Sequence, residues 1–270
     1  GSRASNPGRS TTIEPSNHCV TPTLTVTRLA AVDPVGAGVA EVVVCYRALN
    51  GRSGQRYSAG VSGTLITGSA IHYGYYMPFG LLTPASWVAL FTRRYMHLTG
   101  CTQDALFEIA QATRDYAVRN PAAFFYQRPM TRADYDAGKK ICNPLTLYDC
   151  CQESDGGCAI VVTTPERARH LKQPGVSIRG VAQCIAKDQE EMTSFYRPDI
   201  ARIPEMDLAA DEAYAQCGLS AQDIDAAVIY DAFTPIVLWQ LESWGFCKYG
   251  EAADFVQAGN LRPNGRLPSN

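Results

Sequence analysis

Apolar and polar positions change period several times along this chain, and the changes mark its elements. Residues 1–17 (GSRASNPGRSTTIEPSN) contain no apolar stretch and read as a polar tail or linker. TLTVTRLAAV (23–32) has the pattern of a short helix. Asp33-Pro34 closes it, because proline restricts the residue before it and has no N–H to donate. Residues 42–49 form a continuous apolar run with β-branched members, which predicts a buried strand. The Gly-, Ser- and Tyr-rich stretch 50–82 is long for a plain connection.

Helical signals follow. Thr83-Pro84 supplies an N-cap and a first-turn proline, and Gly100 a C-terminal stop, around ASWVALFTRRYMHLT. Thr102 caps a second helix to about Arg119, with Leu106, Ile109, Ala110 and Thr113 on one face, and Asn120-Pro121 stops it. Thr131 opens a shorter third helix. GCAIVVT (157–163) predicts a second buried strand, and Thr164-Pro165 opens a helix to about Leu171. Residues 175–185 predict a third strand, and 207–217 a helix closed by Gly218. Ser220 and Asp223 have capping-box spacing. AAVIYD (226–231) reads as a short buried strand running into a helix from Phe233. A last short helix around Asp254 ends at Gly259. Strands alternating with helices argue an α/β protein with a largely parallel or mixed sheet.

Composition narrows the function classes. The 270 residues are 46% hydrophobic and 19% charged, enough apolar material for a core and too much for a disordered chain. The net charge of −2 leaves no basic surplus for phosphates, so no nucleic-acid partner is expected. No run reaches the ~18 apolar residues of a membrane span, and no apolar segment of a signal peptide opens the sequence. There is no P-loop and no G-x-G-x-x-G. The ten cysteines form no CxxC pair, and Cys45, Cys158 and Cys184 lie in strand-like apolar runs. They are expected as core thiols in a reducing cytoplasm, and no metal is expected.

Several segments together resemble the thiolase superfamily. GVAEVVVCYRALNGRSG (38–54) resembles the strand after the nucleophile helix of thiolase-like lipid-transfer proteins. DCCQESDGGCAIVVTTPERA (149–168) resembles the strand and helix closing that family's first half. IYDAFTPIVLWQLESWGFCKYGEAADFV (229–256) resembles the opening of the second half, and GRLPSN (265–270) the approach to its glycine-rich loop. The subgroup resembled is the sterol carrier protein X-like and lipid-transfer branch, some of whose bacterial members are retro-aldolases on steroid side-chain CoA thioesters.

The resemblance implies a layered α/β/α/β/α fold, incomplete at both ends in this chain. Residues 1–20 are expected as a polar segment and 21–270 as one thiolase-like domain. It also implies an acyl-CoA substrate, with coenzyme A present as part of that substrate and no covalently bound cofactor. A homodimer is implied, along with a small partner carrying an OB-fold and a zinc ribbon.

Three functions remain open: a retro-aldol lyase on a steroid-type 3-hydroxyacyl-CoA, an acetyl-CoA C-acyltransferase, and a non-catalytic acyl-CoA or lipid-binding subunit. An acyltransferase needs a nucleophilic cysteine with a positioned histidine. Cys19 lies near the expected nucleophile position, but no histidine follows His170. His97 and His170 are expected at helix C-termini, His72 in packing, and Glu190-Glu191 on a solvated face. The lyase reading rests on Tyr230, expected at a strand end before a helix N-terminus whose partial positive charge favours a phenolate. Ligands of α/β sheets bind at such strand ends. Asp231 is expected to cap the following helix and orient Tyr230. Phe233 and Trp239 are expected to pack.

Overall fold

The structure is a computed structural model, and it describes residues 34–54, 56, 59, 74–189 and 195–269. Cys19, His72, Glu190-Glu191 and the expected helix at 23–32 lie outside these residues. The described chain runs β1 (Val42–Asn50), α1 (Pro84–Thr99), α2 (Gln103–Ala117), α3 (Arg132–Asp136), β2 (Lys140–Cys142) and β3 (Leu145–Thr146). It continues through β4 (Asp155–Thr163), α4 (Pro165–Ala168), α5 (Pro204–Cys217), α6 (Thr234–Ser243) and α7 (Ala252–Gln257).

The helices start and stop where short-range chemistry dictates. Thr83 Oγ1 accepts from the Ser86 N–H while Ser86 Oγ accepts from the Thr83 N–H, a reciprocal cap that satisfies two otherwise orphaned donors. Gly100 ends α1 at φ +75°, where a side chain would be strained. Thr102 and Thr131 cap α2 and α3 as the sequence predicts. His97 lies exposed in the last turn of α1, and His170 is exposed just past α4.

Four helices make the core. The inner face of α2 buries Ala105, Leu106, Ile109 and Ala112, and α2 packs on both α6 and α7. Helix α6 is apolar on almost every side, as befits a helix enclosed by others. It buries Pro235, Val237, Leu238, Trp239 and Leu241. Trp239 meets Phe91 and Tyr95 edge-on, at 6.4 and 6.3 Å between ring centres. Phe233 and Trp239 are packing residues, as expected.

The strands depart from the sequence reading. β1 and β4 pair antiparallel, in register from Val42 with Thr163 to Asn50 with Asp155, and β2 pairs antiparallel with β3. Parallel contact among the described residues is a single bridge between Ala227 and Ser269. The β1–β4 ribbon has two strands, and Val44, Tyr46 and Val161 are each more than half exposed. An apolar run reports a tendency to be covered, but coverage needs layers stacked on both faces, and within the described residues each strand pairs only with the other.

The strand expected over 175–185 is not formed. Residues 226–231 carry one bridge, with alternate residues turned outward: Val228 is 96% exposed and Tyr230 49%. The cysteines follow the same correction. Among the described cysteines only Cys101 is buried; Cys158 is exposed, and Cys45 and Cys184 are half-buried.

Candidate active site

The segment bearing the candidate residues is tied to the fold at three points. The Ala227 N–H donates to the Pro268 carbonyl at 3.1 Å. The Gln240 side chain on α6 donates to the Tyr230 carbonyl at 2.8 Å and to the Ile236 carbonyl at 3.3 Å. The Cys151 N–H donates to the Ala232 carbonyl at 2.9 Å, beside an antiparallel bridge between Cys150 and Phe233. Residues 150–151 therefore run alongside 232–233, just before α6 begins.

Asp149 closes this arrangement. It is 1% exposed and accepts four kinds of donor. The Tyr135 hydroxyl donates to both carboxylate oxygens at 2.8 and 2.9 Å. The Thr146 N–H and hydroxyl donate at 2.7 and 2.9 Å. The Thr234 hydroxyl, on the first residue of α6, donates at 2.8 Å. A buried carboxylate is tolerable only when its lone pairs are filled in this way. The positive end of the α6 dipole thus has a carboxylate of the fold bonded to its first residue.

This differs from the expected arrangement. The N-cap of α6 is Phe233 with no side-chain cap bond, so Asp231 does not cap the helix. Asp231 is half-buried, and burial pushes its carboxyl up, against a smaller lowering by its own backbone N–H. Its charge reaches Cys151, an exposed residue whose thiol is raised first by burial and then by Asp231 and Glu153. The neighbouring Cys150 thiol is pushed up to about 12, chiefly by burial and then by Asp149, Cys151 and Cys142. Both shifts run away from the lowered value of an activated thiolate. No cluster suited to a metal ion occurs among the described residues.

Tyr230 and Asp231 thus stand on the same segment as Thr234, which bonds to Asp149, and the charge of Asp231 reaches Cys151. The first two were legible in the sequence. The T-x-x-D spacing of Thr146 and Asp149 is a signal for a buried cap, but the reach of Asp149 to Thr234, 85 residues away, has no sequence signature. A shallow groove of about 490 Å³ between Cys184, Ile185 and the α5 residues Leu208 and Asp211 contains none of these residues in its lining.

Capped helices packed around an enclosed α6, with two pairs of strands and the candidate residues on the strand-like approach to that helix, make this an α/β protein. Residues 186–270 match the family model described as thiolase C-terminal domain-like. Along most of its length the chain is similar to the thiolase superfamily. It is 53% identical over 238 residues to the steroid side-chain-cleaving aldolase of Thermomonospora curvata, covering 87% of this chain and 61% of that protein. It is 48% identical over 240 residues to the 17-hydroxy-3-oxo-4-pregnene-20-carboxyl-CoA lyase of Mycobacterium tuberculosis, covering 87% and 62%. A solved structure of an Ltp2-ChsH2(DUF35) aldolase superposes with a TM-score of 0.85 at 49% identity, over 92% of this chain and 63% of that one. The chain therefore spans about three fifths of the length of these relatives. No described helix is long and apolar enough to cross a membrane.

Proposed function

We propose that this chain contributes to a carbon–carbon lyase that cleaves a steroid-type 3-hydroxyacyl-CoA by a retro-aldol step. The observation that carries the reading is the 53% identity, across 87% of the chain, to a protein named for steroid side-chain cleavage. The name of the second relative defines the bond at risk. In steroid numbering C20 is bonded to C17, so a 17-hydroxyl is β to a thioester carbonyl carried on C20. Loss of the hydroxyl proton lets the C17–C20 bond break. Its electron pair moves into the thioester as an enolate, and C17 becomes a ketone. A proton then returns to the α-carbon, giving a shorter acyl-CoA. Atoms and charge balance with no oxidant and no metal-bound step.

Tyr230 is the residue we assign as the base. Its exposure supports access to a ligand, and the Gln240 bond to its carbonyl steadies its backbone. Asp231, half-buried against Cys151, acts as a positioning residue behind it. An acyl-CoA supplies both substrate and coenzyme. A partner of the DUF35 kind and a homodimer belong to the same reading, the first supported by the composition of the superposed aldolase.

The test is Tyr230→Phe, which removes one oxygen and leaves the ring volume unchanged. Turnover of a 3-hydroxyacyl-CoA, followed by mass spectrometry of the ketone and the shortened thioester, should fall by about 10²–10⁴-fold. The melting temperature should hold. A variant that is less stable but equally fast removes Tyr230 from the mechanism.

A further inference from the structure

We propose that Asp149 is a positioning residue, acting through Thr234 to hold the approach to α6, and with it Tyr230 and Asp231, in register against Cys150-Cys151. The inference rests on the Tyr230 reading for its kinetic consequence, but not for its structural one.

The argument starts from connectivity. Asp149 is the residue immediately before Cys150, and Thr234 the residue immediately after Phe233. The bridge between Cys150 and Phe233 is therefore flanked on one side by a side-chain bond, Thr234 to Asp149 at 2.8 Å, and on the other by a backbone bond, Cys151 to Ala232 at 2.9 Å. Those two bonds set how 231–233 lies against 150–151. The other donors to Asp149 come from Tyr135 and Thr146, so the carboxylate is fixed independently of α6 and serves as a rigid post. A bond between two short, fully buried side chains allows little slack: Thr234 is 5% exposed and Asp149 1%. Sites held by such supports lose activity steeply when displaced by about 1 Å.

Thr234→Val isolates the link. Valine matches threonine in shape and replaces the hydroxyl by a methyl that cannot donate, and Asp149 keeps its Tyr135 and Thr146 donors, so the carboxylate is not orphaned. Thr234→Ser restores the hydroxyl. Tyr214→Phe is the structural control: its hydroxyl donates to the Trp244 carbonyl at 3.0 Å just past the opposite end of α6, and it touches no site residue. Two readouts are taken on the full chain. The first is kcat against KM for a 3-hydroxyacyl-CoA. The second is the native alkylation rate of Cys151 by iodoacetamide, read by peptide mass spectrometry against Cys158 on β4 as internal reference.

The expected result is a kcat lower by about 10–100-fold in Thr234→Val with KM within about twofold. Cys151 alkylation should rise severalfold relative to Cys158. Both should return toward the starting values in Thr234→Ser, and Tyr214→Phe should lower the melting temperature with neither readout moved. Unchanged Cys151 reactivity in Thr234→Val overturns the proposal, and so does an equal rise in Tyr214→Phe. If the unaltered protein turns over no 3-hydroxyacyl-CoA, or Tyr230→Phe is as fast, the lyase reading has failed. The alkylation ratio then still decides the positioning role.

Discussion

The bond between Tyr95 and Glu242 offers the sharpest test of how the core is held. Tyr95 on α1 is fully buried, and its hydroxyl donates to Glu242 Oε1 at 2.5 Å. The same oxygen accepts the Gly250 N–H at 2.8 Å and the Ala252 N–H at 3.4 Å, so one carboxyl gathers α1, α6 and the start of α7. Tyr95→Phe removes that donor, keeps the ring against Trp239, and leaves the carboxyl with two backbone partners. Losing one partner of a buried polar group costs about 1–3 kcal/mol. For a chain of this size that lowers the melting temperature by roughly 2–10 °C.

The pH dependence supplies a second arm. Burial pushes the Glu242 carboxyl up, more than the Tyr95 and backbone donors pull it down. The folded protein then binds this proton more tightly than the unfolded chain does. The stability it contributes is complete below the unfolded carboxyl value of about 4.3 and is lost as pH rises through the folded value. Urea unfolding of the parent and of Glu242→Gln, measured from pH 4 to 8, should give a smaller decline with rising pH in the variant. Tyr95→Phe, by removing a donor to the carboxylate, should steepen it. Equal stability of Tyr95→Phe and parent at every pH would refute the role assigned to this bond. Parallel pH profiles for parent and Glu242→Gln would refute the titration argument.

Two further outcomes follow from burial and charge. Leu238 on α6 is fully buried among α2 and α7 side chains, and Leu238→Ala should cost about 2–5 kcal/mol in urea unfolding, the transfer and cavity cost of a core leucine. Arg197 pairs with Glu205 where both side chains are largely buried; burial is the largest single influence and raises the Glu205 carboxyl, but the Arg197 hydrogen bond and charge together with the Glu205 and Ala186 backbone N–H groups outweigh it and the net direction is down. That contribution is present above the unfolded carboxyl value of about 4.3 and is lost as pH falls through the folded value. Arg197→Met should therefore destabilise by on the order of 3 kcal/mol at neutral pH, with the gap to parent closing toward pH 3 in thermal melts.

What the sequence disclosed sorts by the range of the interactions. Helix ends were legible because their causes are local: Thr83 meets Ser86, and Gly100 takes its left-handed turn from its own lack of a side chain. Helix α6 was legible as a helix from FTPIVLWQLESWG, while its enclosure by α2 and α7 is a matter of the fold. Strands were legible in part, because pairing and coverage are decided far away. β1 was expected from residues 42–49, yet its partner is 115 positions on at Ile160 for Cys45, and nothing in the run says that Tyr46 stays exposed. For residues 226–231 the apolar content argued burial, whereas the alternation of exposure gives a strand-like approach with Tyr230 outward.

The candidate site divides along the same line. Tyr230 and Asp231 stood out because their position before a helix is a local fact. The cap expected of Asp231 failed because Phe233, two residues further on, takes the cap position of α6. The carboxylate that does reach the first residue of α6 is Asp149, brought there by the Thr146 cap and by Tyr135 on α3. A sequence reader sees DCC and an isolated T-x-x-D. Only folding joins them to the Thr-Pro that opens α6. The physical consequence is that α6 has a carboxyl at each end, the buried Asp149 bonded to its first residue and the half-buried Glu242 within its last turn. One is satisfied by hydroxyls and the Thr146 N–H, the other by a tyrosine and two backbone N–H groups. A helix held at both ends and enclosed along its length is a rigid mount, and Tyr230, four residues before it, is tied to that mount by the Gln240 bond to its carbonyl and, through residues 231–233, by the bond between Thr234 and Asp149.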